Sequence, residues 1–397
     1  MTPPDTTLPC PFDASFFNDP YPTYARLRTE GAAHRLNTPE GSPIWLVPRE
    51  RDVRAALSDP RLSVNKAHST RGYRGFSLPP ALDANLLNVD HADHLRLRSL
   101  VSQAFTARRV AQLRTTIEEA THQLADAMEA VGVQDLAAVY ANPLPITVIG
   151  DLLAVPNEDR LAFSSWVATM FAPDHPGQVG EAINTIQKFL TNLVAERRRA
   201  LSNDLLSDLI TAQDEGDKLS EDELVSLAFL ILMAGSENVQ HVITTGLLTL
   251  LQHPEQMEEM RDDLGLLPHA VEEILRYAHP NQMAIRRFPL EDIEIGGVRI
   301  PKGETVMLCL ASANRDPSRY PDADRFNIHR ADTSHLSLGH GLHYCLGAAL
   351  GRIEIQSALA TLLRRFPRLR LAVPASELRW RSSWRSHALR ELPVTVR

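Results

Sequence analysis

Cysteine is scarce in this chain. Three stand among 397 residues, Cys10, Cys309 and Cys345, which is too few for a disulfide framework and suits a reducing compartment such as the cytoplasm. Long apolar runs are missing as well. The longest, 224–235, stops short of the roughly 18 residues a membrane-spanning helix needs and gives way to Ser236, Glu237, Asn238, Gln240 and His241. That run reads as a core helix of a soluble protein with no membrane partner. The N-terminus lacks a basic segment followed by an apolar one; residues 1–11 are proline-rich and polar, so no signal peptide is expected and the stretch reads as a flexible lead-in. Positive charge is not in excess. The net charge of −8 argues against a nucleic-acid binder, although arginines cluster at Arg96, Arg98, Arg108 and Arg109 and again at Arg364, Arg365, Arg368 and Arg370, the second set reading as a solvated helix face.

Internal repeats, low-complexity segments and Gly/Ser linkers are also absent. What is present is an apolar content of 44%, enough for a large core, carried mostly on helical patterns. Short strands are expected at 44–47, at 293–295 and 298–300 joined by the hairpin signal Gly296-Gly297, near 306–310 and at 392–396. The elements are therefore mainly α with small β-sheets. The clearest helix begins near Ser220, where Ser220 and Glu223 form a capping-box pattern, and runs to His253-Pro254, where proline stops it. About 30 residues at 1.5 Å each make a rod of roughly 45 Å. Ala234-Gly235-Ser236-Glu237-Asn238 interrupts its middle with small and polar residues, and a groove is expected there.

The chemistry concentrates in Leu338-Gly339-His340-Gly341-Leu342-His343-Tyr344-Cys345-Leu346-Gly347, followed at once by the helical pattern Ala348-Ala349-Leu350-Gly351-Arg352-Ile353. A thiolate at a helix start is favoured by the unpaired N–H groups there, and the glycines permit positive φ or close approach of a flat ligand. A lone cysteine is more often a small buried hydrophobe. His335, His340 and His343 beside Cys345 could suggest zinc, but no CxxC pair or zinc-type spacing supports it. Gly339-x-Gly341 also lacks the third glycine of a dinucleotide fingerprint. The loop resembles the haem-binding loop of the cytochrome P-450 family, whose cysteine thiolate is the proximal iron ligand.

Three further motifs strengthen the resemblance. Glu273-Ile274-Leu275-Arg276 sets a carboxylate and a guanidinium three residues apart on one helix face, a spacing that means little alone. With Asn314-Arg315-Asp316-Pro317 and Pro321-Asp322-Ala323-Asp324-Arg325-Phe326 downstream, it is similar to the family's ExxR element and implies a buried structural triad of Glu273, Arg276 and Arg325 behind the haem. His94 and Arg98, four apart in Asp90-His91-Ala92-Asp93-His94-Leu95-Arg96-Leu97-Arg98, share a helix face. The resemblance implies that they bind haem propionates together with Arg287 and His343, since N–H donors and cations compensate carboxylates withdrawn from water. Phe12-Asp13 and the run Asp19 to Arg28 look like the opening of soluble bacterial members, so the likeness extends from about residue 12 to the C-terminus. It implies a single P-450 domain over 12–397, with the long central helix lying over the haem.

The sequence also departs from the family. The usual oxygen-activating pair on the central helix is an acid followed by Thr; here Glu237 is followed by Asn238. An amide donates and accepts hydrogen bonds but is no practical proton-transfer acid, so Asn238 either orders the water that delivers the proton, yields that task to a substrate group, or is a tolerated polar residue in a helix kink. No Arg-Pro pair replaces the acid, which disfavours peroxide-dependent fatty-acid chemistry. Leu338, Ala349 and Gly351 stand where the family usually has Phe, Pro and Ala, which bears on the redox tuning of the sulfur. The resemblance implies a bacterial haem-thiolate monooxygenase with haem b, inserting one oxygen atom from O2 into a small organic substrate of secondary metabolism, with electrons from a ferredoxin and its reductase. Oxidative coupling or ring formation is the alternative within the family, and a haem-binding sensor the alternative outside it. A substrate pocket is expected from 69–87, 166–171, 230–234, 282–285 and 383–386, with Leu87, Leu230, Met233, Ala234, Met283 and Ala284 as apolar lining and Gln282, Arg385 and Ser386 as polar anchors.

Overall fold

The computed structural model describes residues 8–73, 78–102, 105–129, 132–171, 175, 177–214 and 219–396. Residues 1–7 of the expected lead-in, 74–77 of the expected pocket and the side chain of Arg108 lie outside the described residues. Two compact units emerge, neither of them continuous in sequence: Met1–Phe76, Thr245–Cys345 and Pro374–Arg390 form the first, and Ser77–Thr244, Leu346–Val373 and Glu391–Arg397 form the second.

The first unit is built on a three-stranded sheet of His34–Asn37, Pro43–Val47 and Val306–Leu308, antiparallel at the first pairing and parallel at the second. Period-two alternation gives this sheet two buried faces. Ile44, Leu46 and Met307 enter an aromatic core with Phe12, Phe16, Tyr24 and Trp384, whereas Val47, Val306 and Leu308 enter an aliphatic core with Val53, Leu57, Ile293 and Ile300. The hairpin Ile293–Ile295 and Val298–Ile300 turns on Gly296 and Gly297, both at positive φ. A Cβ on Gly296 would sit 2.3 Å from that of Ala32. Residues 8 and 9, inside the expected flexible lead-in, are tied down: the Leu8 carbonyl accepts from the Asn37 amide and the Pro9 carbonyl from its backbone N–H.

Helices dominate the second unit, among them His91–Ser102, Ala107–Glu129, Pro143–Leu152, Asn157–Phe171, Gly177–Arg199 and Ala348–Arg365. A small antiparallel sheet of Val133–Asp135, Pro393–Thr395 and Arg370–Leu371 completes it. The central helix Glu221–Gln252 runs 32 residues, with residues 221–244 in this unit and 245–252 in the first. Its start is the expected reciprocal cap: the Glu223 N–H donates to Ser220 Oγ at 3.1 Å, and the Ser220 N–H donates to Glu223 Oε2 at 2.8 Å. Arg96 pairs with the same Glu223, so one arginine of the basic cluster braces the cap. Arg365 likewise pairs with Asp126 and Glu129, tying Ala348–Arg365 to Ala107–Glu129.

Burial along the central helix drops where the groove is expected. Residues 224–232 are buried, 233–235 and 237–240 are only half-buried, and from His241 onward the chain is buried again. Gly235 explains the close approach at this point. A Cβ there would meet Ile149 of Pro143–Leu152 at 2.7 Å, so any larger residue would push the two helices apart. No single helix among the described residues is long and apolar enough to cross a membrane.

Candidate active site

In the first unit the cysteine loop closes on its own backbone. The Gly339 N–H donates to Leu336 O and the Cys345 N–H to Leu338 O, each at 2.8 Å, and the Tyr344 N–H donates to Gly341 O at 3.1 Å. Gly339 and Gly341 hold φ values of 77° and 71°, a region that side chains disfavour. Space excludes a side chain at Gly341 as well, since a Cβ would meet Ser58 Oγ at 2.8 Å. The result is a tight turn that leaves Cys345 half-buried, three residues before Ala348–Arg365 begins. Cys309 is the contrast: wholly enclosed beside Tyr24, its thiol is pushed up to about 12 by burial. Among the described residues no group of histidines, cysteines and carboxylates could hold a metal ion in the manner the zinc reading requires; His335 is paired with Glu272 at 3.2 Å instead.

Arg287 and His343 stand in the same unit. The guanidinium of Arg287 is buried and donates from Nη1 to Ile285 O at 2.7 Å, while its backbone pairs with Val306. His343 is half-buried in the short turn Gly341–His343.

The ExxR pair is buried, bidentate and backed by main-chain carbonyls. Arg276 Nε and Nη2 donate to the two Glu273 oxygens at 2.7 and 2.8 Å, and Nη1 donates to Asn314 O and Ala323 O at 2.8 Å each. The third member differs from the one expected. Arg330, not Arg325, donates from Nε to both Glu273 oxygens at 3.2 Å. Arg325 is exposed and supplies only its carbonyl, which accepts from Arg276 Nη2 and Arg330 Nη2. The chain between 321 and 330 wraps around the carboxylate, so the side chain that returns to it is the later arginine. Spacing alone could not show this.

The expected pocket residues of the first unit separate under the same scrutiny. Met283 lies in the aromatic core with Phe12, Phe16 and Trp384, and its backbone bridges Cys309. Gln282 is fully enclosed, its amide donating to Pro280 O at 3.2 Å, and so does not stand open as a polar anchor. Ala284 packs on the aliphatic core. Arg385 is exposed, with its guanidinium 4.6 Å over the Trp384 ring and its carbonyl accepting the Gln282 N–H. Ser386 is half-buried and bridges Asn281.

The second unit carries the remaining site residues. His94 is buried, and burial together with the neighbouring Arg98 cation holds its pKa down to about 4. It is therefore neutral near pH 7, an N–H donor rather than a charge, and Arg98 one turn on supplies the cation. Asn85 donates to Ser226 Oγ at 2.9 Å and accepts the Leu87 N–H at 3.1 Å, which fixes half-buried Leu87 near the start of the central helix. Leu230 is buried, and Met233 and Ala234 are half-buried at the groove. Asn238 turns its amide back on Ala234 O at 3.4 Å. Glu237 Oε1 stands 3.7 Å from Nε2 of His241, a residue that the apolar pattern marked only as the end of a run. The spacing of four from Glu237 was the available signal.

Comparison with known proteins identifies the family. The cytochrome P-450 family model matches residues 146–372. Cytochrome P-450 monooxygenase PikC of Streptomyces venezuelae is 44% identical over 385 residues, covering 96% of this chain and 92% of the relative. Among solved structures, the tirandamycin C-bound P-450 monooxygenase TamI superposes with a TM-score of 0.91 at 41% identity, covering 97% of this chain and 99% of that one. CxnD, a P-450 described for C–S bond formation in chuangxinmycin biosynthesis, superposes at 0.88 with 38% identity, covering 98% and 97%. A mainly α chain with small sheets, a glycine-turned cysteine loop and a buried ExxR pair, matched over nearly its whole length by such relatives, belongs to the cytochrome P-450 family of haem-dependent monooxygenases.

Proposed function

We propose that the chain binds haem b through Cys345 and inserts one oxygen atom from O2 into a small organic substrate of bacterial secondary metabolism, in the cytoplasm, with a ferredoxin and its reductase as electron source. The observation that carries this reading is the half-buried Cys345 held in a turn that only glycine satisfies at 341. Each unit holds residues whose chemistry suits the group. In the first, Arg287 offers a cation and His343 a ring donor; in the second, Arg98 offers a cation and neutral His94 an N–H donor, the types that propionates withdrawn from water need. When bound, the haem supplies the activation of O2. Glu237 holds a carboxyl at the groove for proton delivery, and Asn238 orders water or substrate beside it without itself transferring a proton. Leu87, Leu230, Met233 and Ala234 give an apolar surface that orients an organic substrate and displaces water. Because neither unit is a continuous stretch of chain, we read 12–397 as working as one domain.

A second reading is bond formation without oxygen retention, favoured by the likeness to CxnD. Reduction under carbon monoxide followed by turnover in ¹⁸O2 with a surrogate ferredoxin separates the two. A thiolate-type CO spectrum with one labelled oxygen in the product is the expected outcome. An unlabelled product two hydrogens lighter than the substrate would support coupling, and absence of the thiolate-type spectrum would overturn both.

A further inference from the structure

Around Glu237, three polar side chains of the central helix bond to the helix's own backbone. Ser236 Oγ donates to Leu232 O at 2.7 Å, Asn238 Nδ2 to Ala234 O at 3.4 Å and Thr244 Oγ1 to His241 O at 3.0 Å. Glu237 and His241 instead face each other, one turn apart, with Oε1 and Nε2 at 3.7 Å. Their exposure is graded: the His241 side chain is 4% exposed and that of Glu237 22%. The imidazole thus backs the carboxyl from the enclosed side, and the carboxyl is the more open of the two.

We propose that His241 is the positioning residue for Glu237, an inference that rests on the P-450 reading and on the proton-delivering place of Glu237 in it. A glutamate has three rotatable side-chain torsions, and a proton-transfer group works only when held within hydrogen-bond reach of its target. Asn238 cannot share the proton. The delivery step therefore depends on how often Glu237 points the right way, and the buried imidazole, 3.7 Å away, is a partner placed to limit its wandering. A histidine fits this duty better than an aliphatic residue because its ring nitrogen can meet the carboxyl in either protonation state.

The test uses the haem-loaded enzyme with two readouts: the infrared stretch of carbon monoxide on the reduced protein, which reports the polarity of its surroundings without turnover, and product formed per reducing equivalent. His241→Leu is expected to move the CO stretch in the same direction as Glu237→Gln and to lower coupling about tenfold, a fraction of the roughly 10²–10⁴ that positioned proton transfer contributes. The double variant should be no worse than Glu237→Gln alone, and His241→Gln, which restores an N–H donor, should recover most of the loss. If His241→Leu does not fold, His241→Asn, whose shorter amide cannot reach Glu237, takes its place with the same expectations. A wild-type CO stretch and wild-type coupling in His241→Leu, with both changed in Glu237→Gln, would overturn the proposal. So would full additivity in the double variant. A wild-type protein without a thiolate-type CO spectrum would instead bring down the P-450 reading, before any variant is compared.

Discussion

Two cysteines of the first unit differ chiefly in their surroundings, and on that difference we propose Cys345 rather than Cys309 as the ligand. Cys309 is enclosed beside Tyr24, where burial pushes its thiol up to about 12, so a thiolate there would be an uncompensated buried charge. Cys345 is half-buried on a turn whose glycines at 339 and 341 both hold positive φ, which side chains disfavour. Cys345→Ser should therefore lose the thiolate-type CO spectrum. Cys309→Ala should keep it and cost about 1 kcal/mol through the small cavity left behind, read as a shift in denaturant midpoint. A thiolate-type spectrum that survives Cys345→Ser would move the ligand to another residue. The same local logic made the turn before Cys345 legible in the sequence, because glycines that must hold positive φ state their own backbone requirement.

Elements divide into those whose signals are local and those whose signals are not. The capping box at Ser220 and Glu223, the Pro254 stop and the Gly296-Gly297 turn were readable because each concerns residues a few positions apart. Which way a strand faces is set by its partner, and Met283, expected in a pocket, lies in the aromatic core with its backbone bridged to Cys309. The ExxR element failed in the same manner, at its long-range member: 57 residues separate Glu273 from Arg330, and nothing in the intervening spacing distinguishes Arg330 from Arg325. The difference is measurable. Removing one partner of a buried charged pair costs about 3–5 kcal/mol, so Arg330→Ala should lower the melting temperature and the haem retained on purification, while Arg325→Ala, whose carbonyl persists, should stay within about 0.5 kcal/mol of the parent. Equal losses in both variants would restore the exposed arginine to the triad.

At the scale of the whole molecule, acid is the perturbation to which the buried histidines give a definite sign. His279 is enclosed, and burial, aided by nearby His335, holds its pKa down to about 3. His387 is held down to about 4, mainly by burial, with its ring stacked 3.8 Å from that of Trp380 and its Nε2 against Asn18 O. Both values lie below the ordinary 6.5 of an unfolded chain. As pH falls below about 6.5 the unfolded state takes up these protons first, so the stabilisation is complete above that value and drains away as pH approaches 4. A fully buried group such as His279 contributes a slope of up to about 1.4 kcal/mol per pH unit across this window. Denaturant midpoints measured from pH 7.5 down to 4.5 should fall accordingly, and His279→Asn, though less stable at pH 7.5, should show a slope shallower by about one proton. A variant that kept the full slope would place the acid sensitivity in other groups, and a parent protein with a flat profile would mean that His279 is protonated inside the fold.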